Sequence, residues 1–396
     1  MDLLISGGRL VSGGRADVLV DGGRILAVGL FPGARADEVI DAAGLIVAPG
    51  LVDSHRHVGQ APLRGIGADM TLTDYITTVL GRLLPAYEPE DAHHATLLGA
   101  AEALDAGITT VLDFCNVTRT PEHTDAVLAA YRTAGIRAVV GHNNPADAAD
   151  VRRMAGLRGR ITGALAINGP GFGDWAGTVR EIELGRELGL LVTMHAGGGP
   201  GSPLRRLYDE GLLGPHLHMV HVNGLSGEEA KLLAETGTGV TVTPIVEATM
   251  GHGVSAYSTF AAAGGRAGLG VDVTVNAPAD LFEALRDTLR SHRAATGTMH
   301  PAAGILAAAT SDSAAAIGLA DRIGTISPGR RADLILLDGL AHLPDGPGLA
   351  SAVVTVLGPR DVHTVVVDGR ILKRDGELVH LDPHRLRQAG SGPPTR

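Results

Sequence analysis

The stretch "GLVDSHRHVGQ", Gly50 to Gln60, sets an apolar run directly before two histidines one residue apart. Side chains alternate along a strand, so His55 and His57 face the same way. If the run is a strand of a closed barrel, both imidazoles point inward at its C-terminal end and can share one ion. Taken alone the pair is a weak signal, because H-x-H occurs by chance in many proteins. The remainder of the chain decides between a metal site and two polar residues that end a strand.

Seven further short apolar runs follow, separated by helical patterns at roughly the ~30-residue period of a βαβ unit. They are "ITTVLDF" (108 to 114), "IRAVVGH" (136 to 142), "ITGALAIN" (161 to 168), "LLVTMHA" (190 to 196), "LHMVHVN" (217 to 223), "GVTVTPI" (239 to 245) and "AGLGVDV" (267 to 273). Ser226 and Glu229 are spaced as a capping box and mark the start of the helix before Gly237. Eight strand-helix units predict an α/β chain folded as a closed (β/α)₈ barrel over 48–324, with an open doubly wound sheet as the fallback. The long first gap, Val58 to Ile108, is expected to lie over the C-terminal face as a lid.

Residues 2 to 47 read differently, as short β-rich runs closed by turn pairs, and "RADLILLDG", "AVVTVLG" and "VHTVVVDGR" repeat that style near the other end. The two segments, 1–47 and 325–382, are predicted to pack together as one small β-sandwich that carries the barrel between them. The polar stretch 383–396 is expected to be a disordered tail.

Composition narrows the function classes. The 396 residues are 44% hydrophobic and 19% charged, which suits a globular chain, and the net charge of -10 without a basic block argues against nucleic acid. No run approaches the ~20 apolar residues of a membrane span, and the start lacks a signal-peptide pattern. The single cysteine, Cys115, excludes an internal disulfide framework and fits a cytoplasmic location, with a small buried residue as its expected role. There is no G-x-x-x-x-G-K-[ST], G-x-S-x-G or H-E-x-x-H, and "GPGFG" is an incomplete dinucleotide fingerprint.

The strand ends change the weight of the opening pair. His195 closes the fifth run, His221 the sixth and Asp272 the eighth, each where a barrel displays its functional side chains. Imidazoles with a carboxylate suit one divalent ion, zinc first and ferrous iron as the alternative, with a position left for water. His218 alternates to the other face from His221 and is expected to be structural.

With "APGLVDSHRHVGQAPLRGIGADMTL", "AAEALDAGITTVLDF", "HMVHVNGLSGEEAKLLAETG" and "GLADRIGTISPGRRADLILLD" in view, the chain resembles the amidohydrolase superfamily over nearly its whole length. Its cytosine deaminase and triazine chlorohydrolase/deaminase branch is the nearest likeness. That resemblance implies a single metal held by His55, His57, His195 and Asp272, with His221 contacting water or substrate, and it implies a homo-oligomer. Binuclear members commonly use a carboxylated lysine, but the only lysines here are Lys231 and Lys373, in a helix and in the C-terminal β region.

The chain departs from the branch in one respect. A glutamate usually follows the fifth-strand histidine as a proton shuttle, whereas His195 is followed by "AGGGPGSP". Glu247 is the expected substitute and His252 the second candidate. Gln60, Arg64, His142 and His252 are the expected substrate contacts. The implied reaction is attack of metal-activated water on a carbon bonded to nitrogen, releasing ammonia from a small amino-substituted N-heterocycle. Ring opening of a cyclic amide, amidine or imine, dechlorination, and an inactive scaffold are the alternatives; the last predicts lost ligands, yet all four are present.

Overall fold

The computed structural model describes residues 1–346 and 348–389. Eight parallel strands are hydrogen-bonded in chain order: Leu51–Arg56, Ile108–Cys115, Arg137–His142, Ile161–Ile167, Leu191–Gly197, Leu217–Asn223, Gly239–Val242 and Gly268–Leu269. The ring closes just beyond the short eighth strand, where Asp272 N donates to His55 O at 3.0 Å and His57 N donates to Asp272 O at 2.8 Å. These two bonds place the residue expected to be the eighth-strand ligand directly against the first strand.

Each expected run falls on an observed strand, and the seventh and eighth are shorter than expected. The seventh stops at Val242 because Pro244 opens the helix Pro244–Thr249; proline lacks the N–H a strand needs and its φ suits a first helical turn. Ser226 and Glu229 do form the capping box, with Ser226 N donating to Glu229 Oε2 at 2.9 Å.

One end of the barrel is sealed. Val52, Leu112, Val139 and Ala164 from the first four strands pack with Ala314, Ile317, Leu319 and Ile323 in a single buried cluster. Apolar filling there leaves the opposite end, where the strands terminate, as the accessible mouth.

The two terminal segments form one composite β-domain. Ile46–Pro49 pairs antiparallel with Leu334–Leu337, so hydrogen bonding runs unbroken through a nine-stranded mixed sheet from both ends of the chain. Its inner face buries a separate core containing Ile5, Val18, Val20, Ile25, Val47, Leu334, Leu336 and Val366. Asp21 and Arg24 pair across a two-residue turn in which Gly22 and Gly23 have φ of 55° and 71°, the left-handed geometry that glycine adopts without a Cβ clash. Arg137 at the start of the third barrel strand reaches this domain, donating to both Asp333 oxygens at 2.6 and 3.0 Å.

Part of the expected disordered tail is ordered. Pro383–Ala389 is helical, and Arg387 donates to Glu102 Oε1 at 2.8 Å, tying it to the helix Pro89–Asp105. Residues 390–396 of that stretch lie outside the described residues. No helix among the described residues is long and apolar enough to cross a membrane.

Candidate active site

At the mouth of the barrel, His55, His195, His221 and Asp272 each offer one ligand atom, all within 4.8 Å of one another. His57 stands beside this set, with Nε2 3.4 Å from Asp272 Oδ1, and His55 Nε2 lies 3.3 Å from the same oxygen. The ring nitrogens of His55 are fully buried with no hydrogen-bond partner, and an unpartnered buried polar atom is costly unless something absent from the protein satisfies it. His57 Nδ1 is flanked by two oxygens, Phe114 O at 3.0 Å and Asn116 Oδ1 at 2.5 Å. It must therefore carry the proton, which leaves the Nε2 lone pair facing Asp272. The donor set fits a divalent cation.

The electrostatics agree with that fit. Burial pushes the His55 pKa down to about 4 and lowers that of His195 well below the ordinary value. Burial opposes charge on Asp272 as well, but the surrounding His55, His221 and His57 outweigh it and hold the carboxyl well below the usual carboxylate range. Neutral imidazoles around an ionised carboxylate are the protonation states that cation binding requires. His221 differs, because Glu247 and Asp272 overcome its burial and raise its pKa.

Backbone strain is concentrated at the same residues. His221, Val222 and Asp272 have φ of 70°, 46° and 65°, a left-handed region that costs a non-glycine residue about 1 to 3 kcal/mol. In the sixth strand the left-handed pair coincides with a register shift opposite Ala196 and Gly197. It is this break, rather than simple alternation, that turns His221 into the site while Val222 stays buried.

Glu247 sits behind His221. It is fully buried on the helix after the seventh strand, its Oε1 accepts from Thr243 N at 2.8 Å and lies 3.4 Å from His221 Nδ1, and it is absent from the cavity walls. Thr243 Oγ1 is 3.0 Å from His221 Nδ1 and 3.5 Å from Asp272 Oδ2, linking the two groups. Glu247 thus meets the site through His221, and the expectation that it substitutes for the missing glutamate as proton shuttle is corrected: Pro244 starts a helix that turns residue 247 inward, off the cavity walls.

A cavity of about 600 Å³ opens above the cluster. Its walls include Leu72, Tyr75, Ile76 and Leu80 from the long insertion, so that segment does cover the site as expected of a lid. Of the four expected substrate contacts only His252 lines the cavity, and its Nε2 is buried without a partner. Gln60 instead donates to Tyr75 Oη at 2.6 Å and acts on the wall from behind. Arg64 pairs with Glu102 at 3.2 Å outside the cavity. His142 Nε2 is 2.8 Å from Asp150 Oδ2, within the protein. Proximity to a strand end did not determine which way these side chains turn. Missed in the sequence were Asn116 and Thr243, although each lies within a residue of its strand's end.

Two positions of the loop after His195 are closed to a glutamate. A Cβ on Gly198 would lie 2.5 Å from Leu225 Cα, and one on Gly199, at φ 85°, would lie 2.9 Å from Gly224 O. Glu229 anchors this loop by accepting from Gly199 N at 2.9 Å and from Ser202 Oγ. At residues 198 and 199 the lack of an acid is built into the backbone packing, whereas a Cβ on Gly197 would meet open space.

A parallel barrel with histidines and an aspartate at its mouth, joined to a composite β-domain, defines the class: a metal-site (β/α)₈ hydrolase barrel. Residues 46–372 match the amidohydrolase family, and the chain belongs to it; it is a hydrolase of carbon–nitrogen bonds. It is 30% identical to 5-methylthioadenosine/S-adenosylhomocysteine deaminases of Desulforudis audaxviator and of Symbiobacterium thermophilum, each alignment covering 94% of this chain and 93% or 94% of the relative. Among solved structures, an adenosine deaminase from Xanthomonas campestris with bound zinc superposes with a TM-score of 0.87 at 25% identity, over 98% of this chain and 96% of the other. An atrazine chlorohydrolase from Arthrobacter aurescens TC1 complexed with zinc shares the fold at a TM-score of 0.84 and 22% identity, over 98% of both chains.

Proposed function

We propose that this protein deaminates an amino-substituted nitrogen heterocycle using one divalent metal ion, zinc before ferrous iron. The carrying observation is the convergence of His55, His195, His221 and Asp272 beneath a cavity of heterocycle size. The relatives named as deaminases of adenosine derivatives point to the same chemistry. His55, His57, His195 and Asp272 would hold the ion, with His221 turned toward the water. The metal, when bound, supplies a water acidic enough to act as a nucleophile near neutral pH.

The chain's own residues do the rest. Asp272, kept ionised by the imidazoles around it, accepts the proton of the attacking water. His221 is held with a proton on Nδ1 by Thr243 and Glu247, and its other nitrogen faces the site to steady the charge that develops on the attacked carbon's substituents. With residues 196 to 199 lacking an acid, the leaving nitrogen receives its proton from Asp272 or from His252 Nε2, the unpartnered cavity group. The chain is proposed to work in the cytoplasm, with Cys115 buried and free, and as a homo-oligomer, which size-exclusion chromatography checks.

Ring opening of a cyclic amide or amidine is the second reading, favoured by the absence of an acid among residues 196 to 199, two of which the packing closes to a side chain. Incubating the zinc-loaded protein with pooled amino-heterocycles, lactams and cyclic amidines separates the two by mass spectrometry. Exchange of NH for O with ammonia release is the expected result. Addition of a whole water would replace deamination with ring opening.

A further inference from the structure

The cavity lining divides chemically. The metal-site residues, Asn116, Asn223 and His252 form a polar part, whereas the remaining side chains are apolar apart from Asn168. Leu72, Ile76 and Leu80 recur every fourth residue through the helical segment Leu72–Leu83, so they share one face. Val79 and Leu83 on the next face are buried in the core, and Tyr75, also buried, adds to the cavity wall. The segment therefore spends one apolar face on folding and presents a second to the cavity.

Across from it, Phe172 lines the cavity while 63% exposed. A large aromatic left in water at a site mouth is stabilised when a ligand covers it, at roughly 25 cal/mol per Å² of apolar surface buried. Among the described residues, no lysine or arginine lines the cavity, and Asp272 is its only carboxylate. Arg82, within the lid segment, is exposed and absent from the cavity walls, and Arg64 is turned away to Glu102. A charged substituent reaching this wall would lose its hydration with nothing to replace it.

We propose that the site selects amino-heterocycles whose substituent is uncharged and apolar, and rejects those whose substituent ends in a carboxylate, zwitterion or phosphate. This rests on the deamination reading for where the heterocycle sits, with its amino group at the metal-site residues and its substituent against Leu72, Ile76, Leu80 and Phe172. It separates two activities that the relatives' shared description joins, since a methylthio group is apolar and a homocysteine group is zwitterionic.

The test is calorimetric binding and steady-state kinetics on the zinc-loaded enzyme with two matched pairs: 5-methylthioadenosine against S-adenosylhomocysteine, and an alkylamino-triazine against its carboxyalkyl analogue. The neutral member is expected to bind at least about tenfold more tightly in any pair that binds, a difference of about 1.4 kcal/mol. Phe172→Arg, at an exposed position that leaves the core intact, is expected to narrow that ratio severalfold by giving the carboxylate a partner. Equal or tighter binding of the charged member, or a ratio unchanged by Phe172→Arg, overturns the proposal. Binding of neither member of either pair overturns it too, while the pooled ammonia-release experiment decides the deamination reading separately.

Discussion

Glu247 Oε1 lies 3.4 Å from His221 Nδ1, fully buried behind the one imidazole of the cluster whose pKa is raised. A carboxylate in that place orients the ring and supports its positive charge without touching substrate. Glu247→Gln keeps the shape and removes the charge. We expect kcat to fall about 10- to 100-fold, with KM nearly unchanged and metal content retained. A purely structural Glu247 would instead lower the melting temperature and leave kcat intact, so kinetics and metal analysis on one preparation decide the matter.

Asn116 Oδ1 accepts from His57 Nδ1 at 2.5 Å and is one of two oxygens fixing that ring's tautomer. Asn116→Ala leaves Phe114 O as the remaining acceptor. The expected outcome is metal affinity weakened by about tenfold, measured by competition with a chromogenic chelator. Unchanged affinity would mean that His57 is not a ligand and that the tight set of His55, His195, His221 and Asp272 holds the ion without it.

How far the site was legible follows from what each signal measures. Apolar runs and their spacing report strands, so the barrel and the ends carrying His55, His195 and His221 could be read directly. Asp272 could be placed at a strand end, but its position in a bridge closing the ring depends on partners more than two hundred residues away. Residues whose roles depend on rotation about a loop or helix were not legible. Gln60, Arg64 and His142 turned to Tyr75, Glu102 and Asp150, and Glu247 was turned inward by the helix that Pro244 begins. Asn116 and Thr243 act through hydrogen bonds to ligands, which leave no periodic trace.

The barrel and the β-domain are joined by a buried charge cluster. Arg137 is 3% exposed and Asp333 1%, and the arginine also donates to Asp368 Oδ1 at 3.2 Å. Arg137→Ala leaves Asp333 buried without its bidentate partner, and loss of one partner of such a pair costs about 3 to 5 kcal/mol. Denaturant unfolding should show that loss, while kcat measured well below the new midpoint stays at the wild-type value because the site lies at the other end of the barrel. A loss below about 1 kcal/mol would show the pair to be dispensable.

His218 is held neutral between two hydroxyls, Nδ1 2.9 Å from Thr193 Oγ1 and Nε2 2.7 Å from Thr241 Oγ1. Burial, helped by nearby His55, pushes its pKa down to about 3, against about 6.5 in an unfolded chain. Below pH 6.5 the unfolded state therefore binds the extra proton, so stability falls with decreasing pH until the folded pKa is reached. At pH 5 the ring is expected to have cost about 2 kcal/mol relative to its contribution above pH 6.5. His218→Gln offers hydrogen bonds to both threonines and does not titrate. Urea unfolding of both proteins at pH 8 and pH 5, with excess chelator to remove metal linkage, should show the variant losing about 2 kcal/mol less across that interval. Because His55 and His195 titrate in both proteins, equal losses would mean that His218 is not held neutral by its burial.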